Sequence, residues 1–462
     1  MNKLFSGGIT MGTLGENNNR AVAKSTNKLS ELMQDVLARA KAKGATDASV
    51  SVNHDSGYSV DVRMGEVETV AFSEDKGVAL TVYIGNRKGS SSSTDTSPAA
   101  LDALVTAACD IALVSAADPC FGLADKELIN NDYPDLDLFH PWEITPAEAI
   151  EKALACEAQA LAMDKRITNS DGVNFSTYAF CNGFANTNGA KGIIQSTRHG
   201  LSCSLIAKEG ETMQRDYDYT TARRAIDLNS LENLAKSAVE RATSRLGARK
   251  VQTQKVPVLF STRVSSGLFA SFINAISGGN LYRKNTFLLD SIDQQIFPQN
   301  IRVYEQPFLP RGLGSSPFDA DGVPTRNNVF VEEGIVRQYV LGSYSARRLG
   351  VKTTANSGGV FNLTIDPTAG DLQDLLRKMD TGLLVTELMG QGVNGLTGDY
   401  SRGAAGFWVE NGEIQYPVEE ITIAGNLKDM FKAIAAVGND HNPNIPTRCG
   451  SILLEEMMIA GH

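Results

Sequence analysis

Histidine is scarce in this chain: His54, His140, His199, His441 and His462 are the only five in 462 residues, and no two lie within five positions of each other. That excludes the helix-borne zinc signatures in which two nearby imidazoles face one ion. Cysteine is thin as well. Cys109, Cys120, Cys156, Cys181, Cys203 and Cys449 are scattered and form no C-x-x-C pair, so a disulfide scaffold is excluded and reduced thiols are expected. There is no basic surplus: 43 Lys and Arg stand against 53 Asp and Glu, a net charge of -10. A large nucleic-acid-binding face is therefore not expected. No apolar run approaches the roughly 20 residues of a membrane span, and Met1 to Arg20 has no apolar core of the signal-peptide kind. Together these absences point to a cytoplasmic protein without a membrane partner.

What the chain does have is glycine, 42 residues of it, with 42% hydrophobic and 21% charged residues. This is a globular composition rich in turns and sheets, long enough for two or three domains. Leu29, Leu32, Met33, Val36, Leu37 and Ala40 follow helical spacing, with Gly44 at the stop and Ser25, Thr26 or Asn27 as cap candidates. Tyr58, Val60, Val62 and Met64 alternate with polar residues, as do Val78, Leu80, Val82 and Ile84, and both runs read as strands. Ser97-Pro98 and the capping box Thr145-Pro146-Ala147-Glu148 open two further helices, the first with an apolar face of Leu101, Leu104, Val105, Ala108 and Ile111. A helix over 228–246 ends in Arg241, Arg245, Arg249 and Lys250, cations suited to a helix C-terminus beside a linker. Beyond it the chain turns β-rich, with hairpins at Glu333-Gly334 and Asn411-Gly412 and short helices at 371–379 and 426–437. A two-residue Asn-Gly turn would set Val409 opposite Ile414 and Phe407 opposite Tyr416. The expected fold class is α+β: a flexible extension over 1–27, an N-terminal α+β domain over 28–250, and a β-rich C-terminal domain over 251–462.

A search for local chemistry returns little. Asp135, Asp137, His140 and Glu143 are spaced to hold a divalent ion, but their prolines make a capped loop the plainer reading. No G-x-S-x-G elbow and no Walker A sequence occur, and the two S-x-x-K matches, Ser25 to Lys28 and Ser73 to Lys76, read as chance. Gly390-Gln391-Gly392-Val393-Asn394-Gly395 matches G-x-G-x-x-G, but a dinucleotide site needs a helix to start there. Leu-Thr-Gly-Asp-Tyr-Ser-Arg-Gly follows instead, which leaves a glycine loop whose backbone can approach a ligand.

Around that loop, Gly398 to Trp408, Glu410 to Ile414, Tyr416-Pro417-Val418 and Ile423 to Leu427 resemble the C-terminal signature of the TldD/PmbA family. Gly278 to Lys284, Thr381 to Gly392, Asn86 to Asp95 and Pro134 to Pro141 resemble the family too, and the PmbA (TldE) branch most closely. The resemblance implies a subunit of a cytosolic TldD/TldE zinc metalloprotease that processes small or unfolded polypeptides, in a family first named for modulating DNA gyrase. In the TldD branch, a helix carrying H-E-x-x-x-H shortly before an Arg-Lys pair holds the metal, and a C-terminal cysteine completes the site. Counting back from Arg283-Lys284, Ala270 and Ser271 take the place of the first His-Glu pair and Ala275 that of the second histidine. Cys449 is the one C-terminal cysteine.

No catalytic or metal-binding residue is therefore expected in this chain, and zinc is expected in the partner. A TldD-type zinc subunit is the implied partner, with a homodimer when the chain is alone. Substrate or interface contacts are assigned to Gly390, Gly392, Asn394, Gly395, Asp399, Tyr400, Ser401 and Arg402, together with Arg283 and Lys284. The competing structural reading makes 390–402 a corner in which Asp399 caps a turn and Arg402 pairs internally. The alternative function is an interaction protein that modulates a partner such as DNA gyrase without proteolysis.

Overall fold

The computed structural model describes residues 22–461, so most of the expected extension lies outside the described residues. The fold is α+β and, over the described residues, divides into two compact units, residues 22–208, 213–243 and 317–324 in one, and 209–212, 244–316 and 325–461 in the other. The chain thus crosses between units a few residues before 250, and a short segment from the second half belongs with the first.

In the first unit, helix α1 (Ser25–Ala42) opens inside the stretch expected to be extension, and Lys24, not a serine or asparagine, occupies its N-cap without a side-chain cap bond. Strands β1 (Asp47–Arg63), β2 (Glu66–Ile84) and β3 (Arg87–Ser93) follow, then α2 (Pro98–Val114), α3 (Pro146–Met163), β4 (Ile167–Asn186), β5 (Lys191–Glu209), β6 (Thr212–Ala222) and α4 (Leu231–Ser244). The six strands form one sheet in the order β3-β2-β1-β4-β5-β6. Along β1 the even-numbered residues from Ala48 to Val62 are buried, the period-2 pattern of a strand with one covered face. Val50, Val52, Leu80 and Val82 meet Val36 and Ala40 of α1 and Leu101, Leu104 and Val105 of α2 in one core. Ser97 caps α2 as expected, and Thr145 and Glu148 close a reciprocal capping box on α3. Two more expectations fail. Ile111 is 44% exposed, with Cys109 and Ala112 buried in its stead; Met64 stands at positive φ in the β1–β2 turn, outside the strand.

The second unit contains β7 (Gln254–Phe260), α5 (Ser266–Ala275), α6 (Gly278–Tyr282), β8 (Val303–Glu305), β9 (Val329–Glu332), β10 (Ile335–Val336), α7 (Ser343–Leu349), β11 (Leu363–Ile365) and α8 (Leu372–Met379). It ends with β12 (Gly382–Met389), β13 (Asp399–Glu410), β14 (Glu413–Asn426), α9 (Leu427–Lys432), β15 (Ile434–Val437), β16 (Thr447–Arg448) and β17 (Ile452–Ala460). A five-stranded sheet runs β10-β9-β8-β11-β16. The larger sheet runs β14-β13-β12-β7-β17-β15, and an added β14–β17 pairing closes five of its strands into a ring. Phe260, Phe269, Phe272, Phe297 and Phe431 fill the main core. The Phe297 ring stacks on Phe269 and lies 5.0 Å from Phe272 and 4.9 Å from Phe431, packing that fixes α5 through its aromatic face.

Both hairpins turn where expected, with positive φ at Glu333, Gly334, Asn411 and Gly412. Val409 pairs with Ile414, but a bulge between Trp408 and Val409 sets Trp408 opposite Tyr416 and Phe407 opposite Pro417. The extra residue reverses the facing beyond it. The helix expected to 437 stops at Lys432, and β15 follows. Arg245 pairs with Glu387 at 2.6 Å, Lys250 with Glu420 at 2.9 Å, and Arg249 lies 4.0 Å over the Tyr416 ring. These three cations serve packing within the second unit.

Candidate functional site

The helix counted back from Arg283-Lys284 is α5, and its sequence divides into two roles. Leu268, Phe269, Phe272 and Ala275 are buried, the i, i+1, i+4, i+7 spacing of a core-facing stripe. Ala270 is exposed and Ser271 half-buried, and the Ser271 hydroxyl donates back to the Gly267 carbonyl at 2.9 Å. None of Ala270, Ser271 and Ala275 presents an imidazole, thiolate or carboxylate, so these positions do not fit a zinc ion. Cys449 stands close by: its thiol faces the buried Ser265 hydroxyl just before α5. Burial pushes the Cys449 thiol up to about 12, with the Ser265 hydroxyl a partial offset, and a thiol so disposed stays protonated at neutral pH. Among the described residues, no three His, Cys, Asp or Glu side chains converge on a position that could hold a metal. Asp135, Asp137, His140 and Glu143 are no exception: His140 Nε2 lies 3.0 Å from Asp137 Oδ1, while Asp135 accepts from the Asp137 amide. That is a self-bonded loop.

The end of α5 is finished by side chains. Asn280 donates to the Asn274 carbonyl at 2.8 Å, and Thr286 to the Ala275 carbonyl at 2.7 Å, satisfying acceptors that a helix leaves free. This brings the chain back toward the glycine loop. The Phe287 amide donates to the Gly395 carbonyl at 3.2 Å, and a Cβ on Gly398 would meet the Phe287 ring at 3.2 Å. The segment that follows α5 and the loop over 390–398 are therefore neighbours.

The loop leads from β12 into β13, so a strand follows the G-x-G-x-x-G match, and the dinucleotide reading fails as expected. Ser401 donates its amide to Gly392 O at 2.7 Å, Asn394 to Asp399 O at 2.8 Å, and Gly398 to Asn394 O at 2.8 Å. Asn394 Oδ1 accepts from the Leu396 amide at 3.0 Å. Asp399 accepts from Thr397 Oγ1 at 2.6 Å and Asn426 Nδ2 at 3.1 Å, hydrogen bonds that hold its carboxyl below the usual range. Arg402 Nη2 donates to Gly390 O at 2.7 Å. Tyr400 is buried, and burial pushes its phenol up to about 12 against the neighbouring Arg402 guanidinium. Eight of the ten assigned residues thus come together in one corner, and their polar side chains bond mainly within it. Its outer surface, with Gln391, Leu396 and Thr397, is exposed.

Arg283 and Lys284 are placed otherwise. Arg283 donates to Tyr282 Oη at 2.9 Å, with its guanidinium 5.1 Å over the same ring, and Lys284 is exposed at a positive φ. Sequence reasoning missed the Ser265–Cys449 contact because 184 positions separate the two residues and neither sits in a motif. Asn426, which donates to the Thr397 carbonyl and to Asp399, was missed as a support of the corner, although it lies within one of the family stretches.

Three family domains match in order: PmbA/TldA metallopeptidase domain 1 over residues 48–112, the central domain over 139–246 and the C-terminal domain over 253–461. The chain is 52% identical over 425 residues to metalloprotease PmbA of Escherichia coli O157:H7, covering 92% of this chain and 94% of that one. A crystal structure of a proposed modulator of DNA gyrase from Bacteroides thetaiotaomicron superimposes with a TM-score of 0.90 at 28% identity, covering 95% of this chain and 100% of that one. TldE from Thermococcus kodakarensis has a TM-score of 0.82 at 21% identity over 93% and 100% of the two chains, a likeness of fold. No helix among the described residues is long and apolar enough to cross a membrane.

Proposed function

This chain belongs to the PmbA/TldD metallopeptidase family, and from that premise we propose that it is the non-catalytic, TldE-like subunit of a cytoplasmic heteromeric zinc metalloprotease. The observation that carries this reading is α5. The helix has a core-facing aromatic stripe, and at the positions that the family resemblance assigns to ligands and general base it carries Ala270, Ser271 and Ala275. Zinc-assisted hydrolysis needs three ligands and a carboxylate to take the proton of the bound water. A partner of the TldD type supplies both, and this chain contributes folding partner and substrate-facing surface. The exposed rim of the 390–398 loop is the part assigned to that contact, its glycines admitting a polypeptide backbone. Substrates are small or unfolded polypeptides, and the chain pairs with itself when the zinc subunit is missing.

The test is reconstitution. Alone, the purified chain is expected to hold far less than one zinc per chain and to leave unfolded peptides intact. With a TldD-type subunit it is expected to co-elute stoichiometrically and give chelator-sensitive cleavage. One tightly held zinc per chain, or peptidase activity of the chain alone that survives a chelator, overturns the proposal. The description of the Bacteroides relative supports the second reading, a gyrase modulator without proteolysis; that reading expects gyrase, not a zinc subunit, in a pull-down from lysate.

A further inference from the structure

Well away in sequence from α5 and the glycine loop, the first unit contains a cavity of about 490 Å³, whose lining includes Lys24, Ser25, Lys28, His54, Glu74 and Lys76. Three of these side chains form a continuous hydrogen-bonded line. Ser25 Oγ stands 2.5 Å from His54 Nδ1, and His54 Nε2 stands 3.1 Å from Glu74 Oε1. The fold assembles them from three elements. Ser25 opens α1, and His54 lies on the helix-covered face of β1. Glu74 comes from β2, where the register sets His54 opposite Lys76 and Ser56 opposite Glu74. Ser25 and His54 are nearly fully buried, 5% and 6% exposed, so the ring is held at both nitrogens.

The carboxylate decides the tautomer. Ionised Glu74 only accepts, so Nε2 carries the proton and Nδ1 presents its lone pair to the serine hydroxyl. A hydroxyl, a base able to take its proton and a carboxylate orienting that base are the nucleophile, general base and orienting group of an acyl-transfer triad. The charges around them select the substrate. Lys76 lies 2.6 Å from Glu74, and Lys24 and Lys28 are exposed at the same cavity. Three ammonium groups against one carboxylate favour an anionic ligand. The two S-x-x-K matches each contribute their lysine to this cavity, and the first contributes its serine too.

We propose that Ser25, His54 and Glu74 form a serine-type acyl-transfer site for small esters or thioesters whose acyl part carries a negative charge. Ser25 Oγ attacks the carbonyl carbon as its proton passes to His54 Nδ1. The tetrahedral adduct collapses, the carbon–oxygen or carbon–sulfur bond breaks, and the leaving alcohol or thiol departs with that proton. Water then attacks the acyl-serine, giving its proton to the same nitrogen, and the free acid leaves as Ser25 is regenerated. Ser25 and His54 are the catalytic residues and Glu74 the positioning residue. The site is independent of the zinc subunit proposed above.

The full chain, purified alone, is treated with a fluorophosphonate ester and mapped by mass spectrometry. The adduct is expected on Ser25, with fluoride released, and the chain is expected to hydrolyse 4-nitrophenyl hemisuccinate faster than neutral 4-nitrophenyl acetate. His54→Gln should slow labelling about a hundredfold, the usual share of a general base, in a variant that still unfolds cooperatively on heating. Glu74→Gln should lower kcat with little change in KM, and Glu74→Asp should recover part of it. Absence of an adduct on Ser25 of the unmutated protein overturns the proposal whether or not the variants fold. So does labelling at the same rate in folded His54→Gln.

Discussion

Replacing Gly392 by alanine tests the corner most directly. An ideal Cβ on Gly392 would lie 1.6 Å from the Ser401 carbonyl oxygen, 1.4 Å short of the 3.0 Å that real Cβ atoms respect. The obstacle is backbone, so no rotamer change relieves it. The strand ends must part, which breaks the 2.7 Å bond from the Ser401 amide to Gly392 O and disturbs the Val393–Tyr400 pairing beside buried Tyr400. A lost hydrogen bond costs about 1 kcal/mol and forced backbone movement about 1–3, together about 2–4 kcal/mol. For a unit of this size, each kcal/mol lowers Tm by about 2–4 °C, so a fall of about 4–16 °C is expected by calorimetry. Gly390→Ala is the control. Its φ of +76° strains an alanine by about 1–2 kcal/mol, but nothing lies within 4 Å of the new methyl. If Gly392→Ala melts within about 1 °C of the parent, or Gly390→Ala is the worse of the two, the close approach of the two strands is not real.

Arg402→Ala removes a donor whose acceptor, the Gly390 carbonyl, belongs to an exposed residue that water can reach. The loss of stability should be near 1 kcal/mol by denaturant titration, while peptidase activity of the assembled complex falls. A loss of several kcal/mol would mark the loop as structural instead. Of the six cysteines only Cys120 is not buried, so a thiol reagent should titrate about one group in the native chain and six in denaturant. Glu305 is fully buried and accepts from Asn328, Asn356 and the Phe361 amide, and burial raises its carboxyl above the usual value. Because the folded chain holds this proton more tightly than the unfolded one, Glu305's contribution to stability falls as pH rises from the ordinary glutamate range through the raised value. Glu305→Gln turns an amide toward those donors and should destabilise by about 1–3 kcal/mol, the deficit being largest at the acid end of that window. A deficit that grows with pH contradicts the burial argument.

How much of this was legible in the sequence depends on how far a signal reaches. Ser97, Thr145 with Glu148, and Asn411-Gly412 act within four residues, and all did what their chemistry requires. The Phe407–Tyr416 pairing failed because a bulge has no local mark: Trp408 and Val409 are as good strand formers as their neighbours. Ile111 lies on the apolar stripe of α2 by spacing alone, but the helix is rich in small residues, and Cys109 and Ala112 approach the sheet in its place. The Ser25 cap failed because the hydroxyl is engaged by His54, a partner 29 residues away. Closure of the β-ring through β14 and β17, and the return of 317–324 to the first unit, are likewise long-range. Phe318 makes that return possible, packing against Phe184 and the bare backbone of Gly192, where a Cβ would sit 2.3 Å from its ring.

The persistence of α5 follows from the same division between near and far. Its stability rests on Leu268, Phe269 and Phe272, which reach the core shared with Phe297 and Phe431. Truncating a buried aromatic there would cost about 3–5 kcal/mol, whereas Ala270 and Ser271 face outward and carry almost none of that packing. Ligand positions on such a helix can change without loss of fold. Ala275 is different: it is 2% exposed at the point where the helix ends against Thr286, and an imidazole there would need room the core does not have. A helix built this way holds its place in the fold with or without a metal.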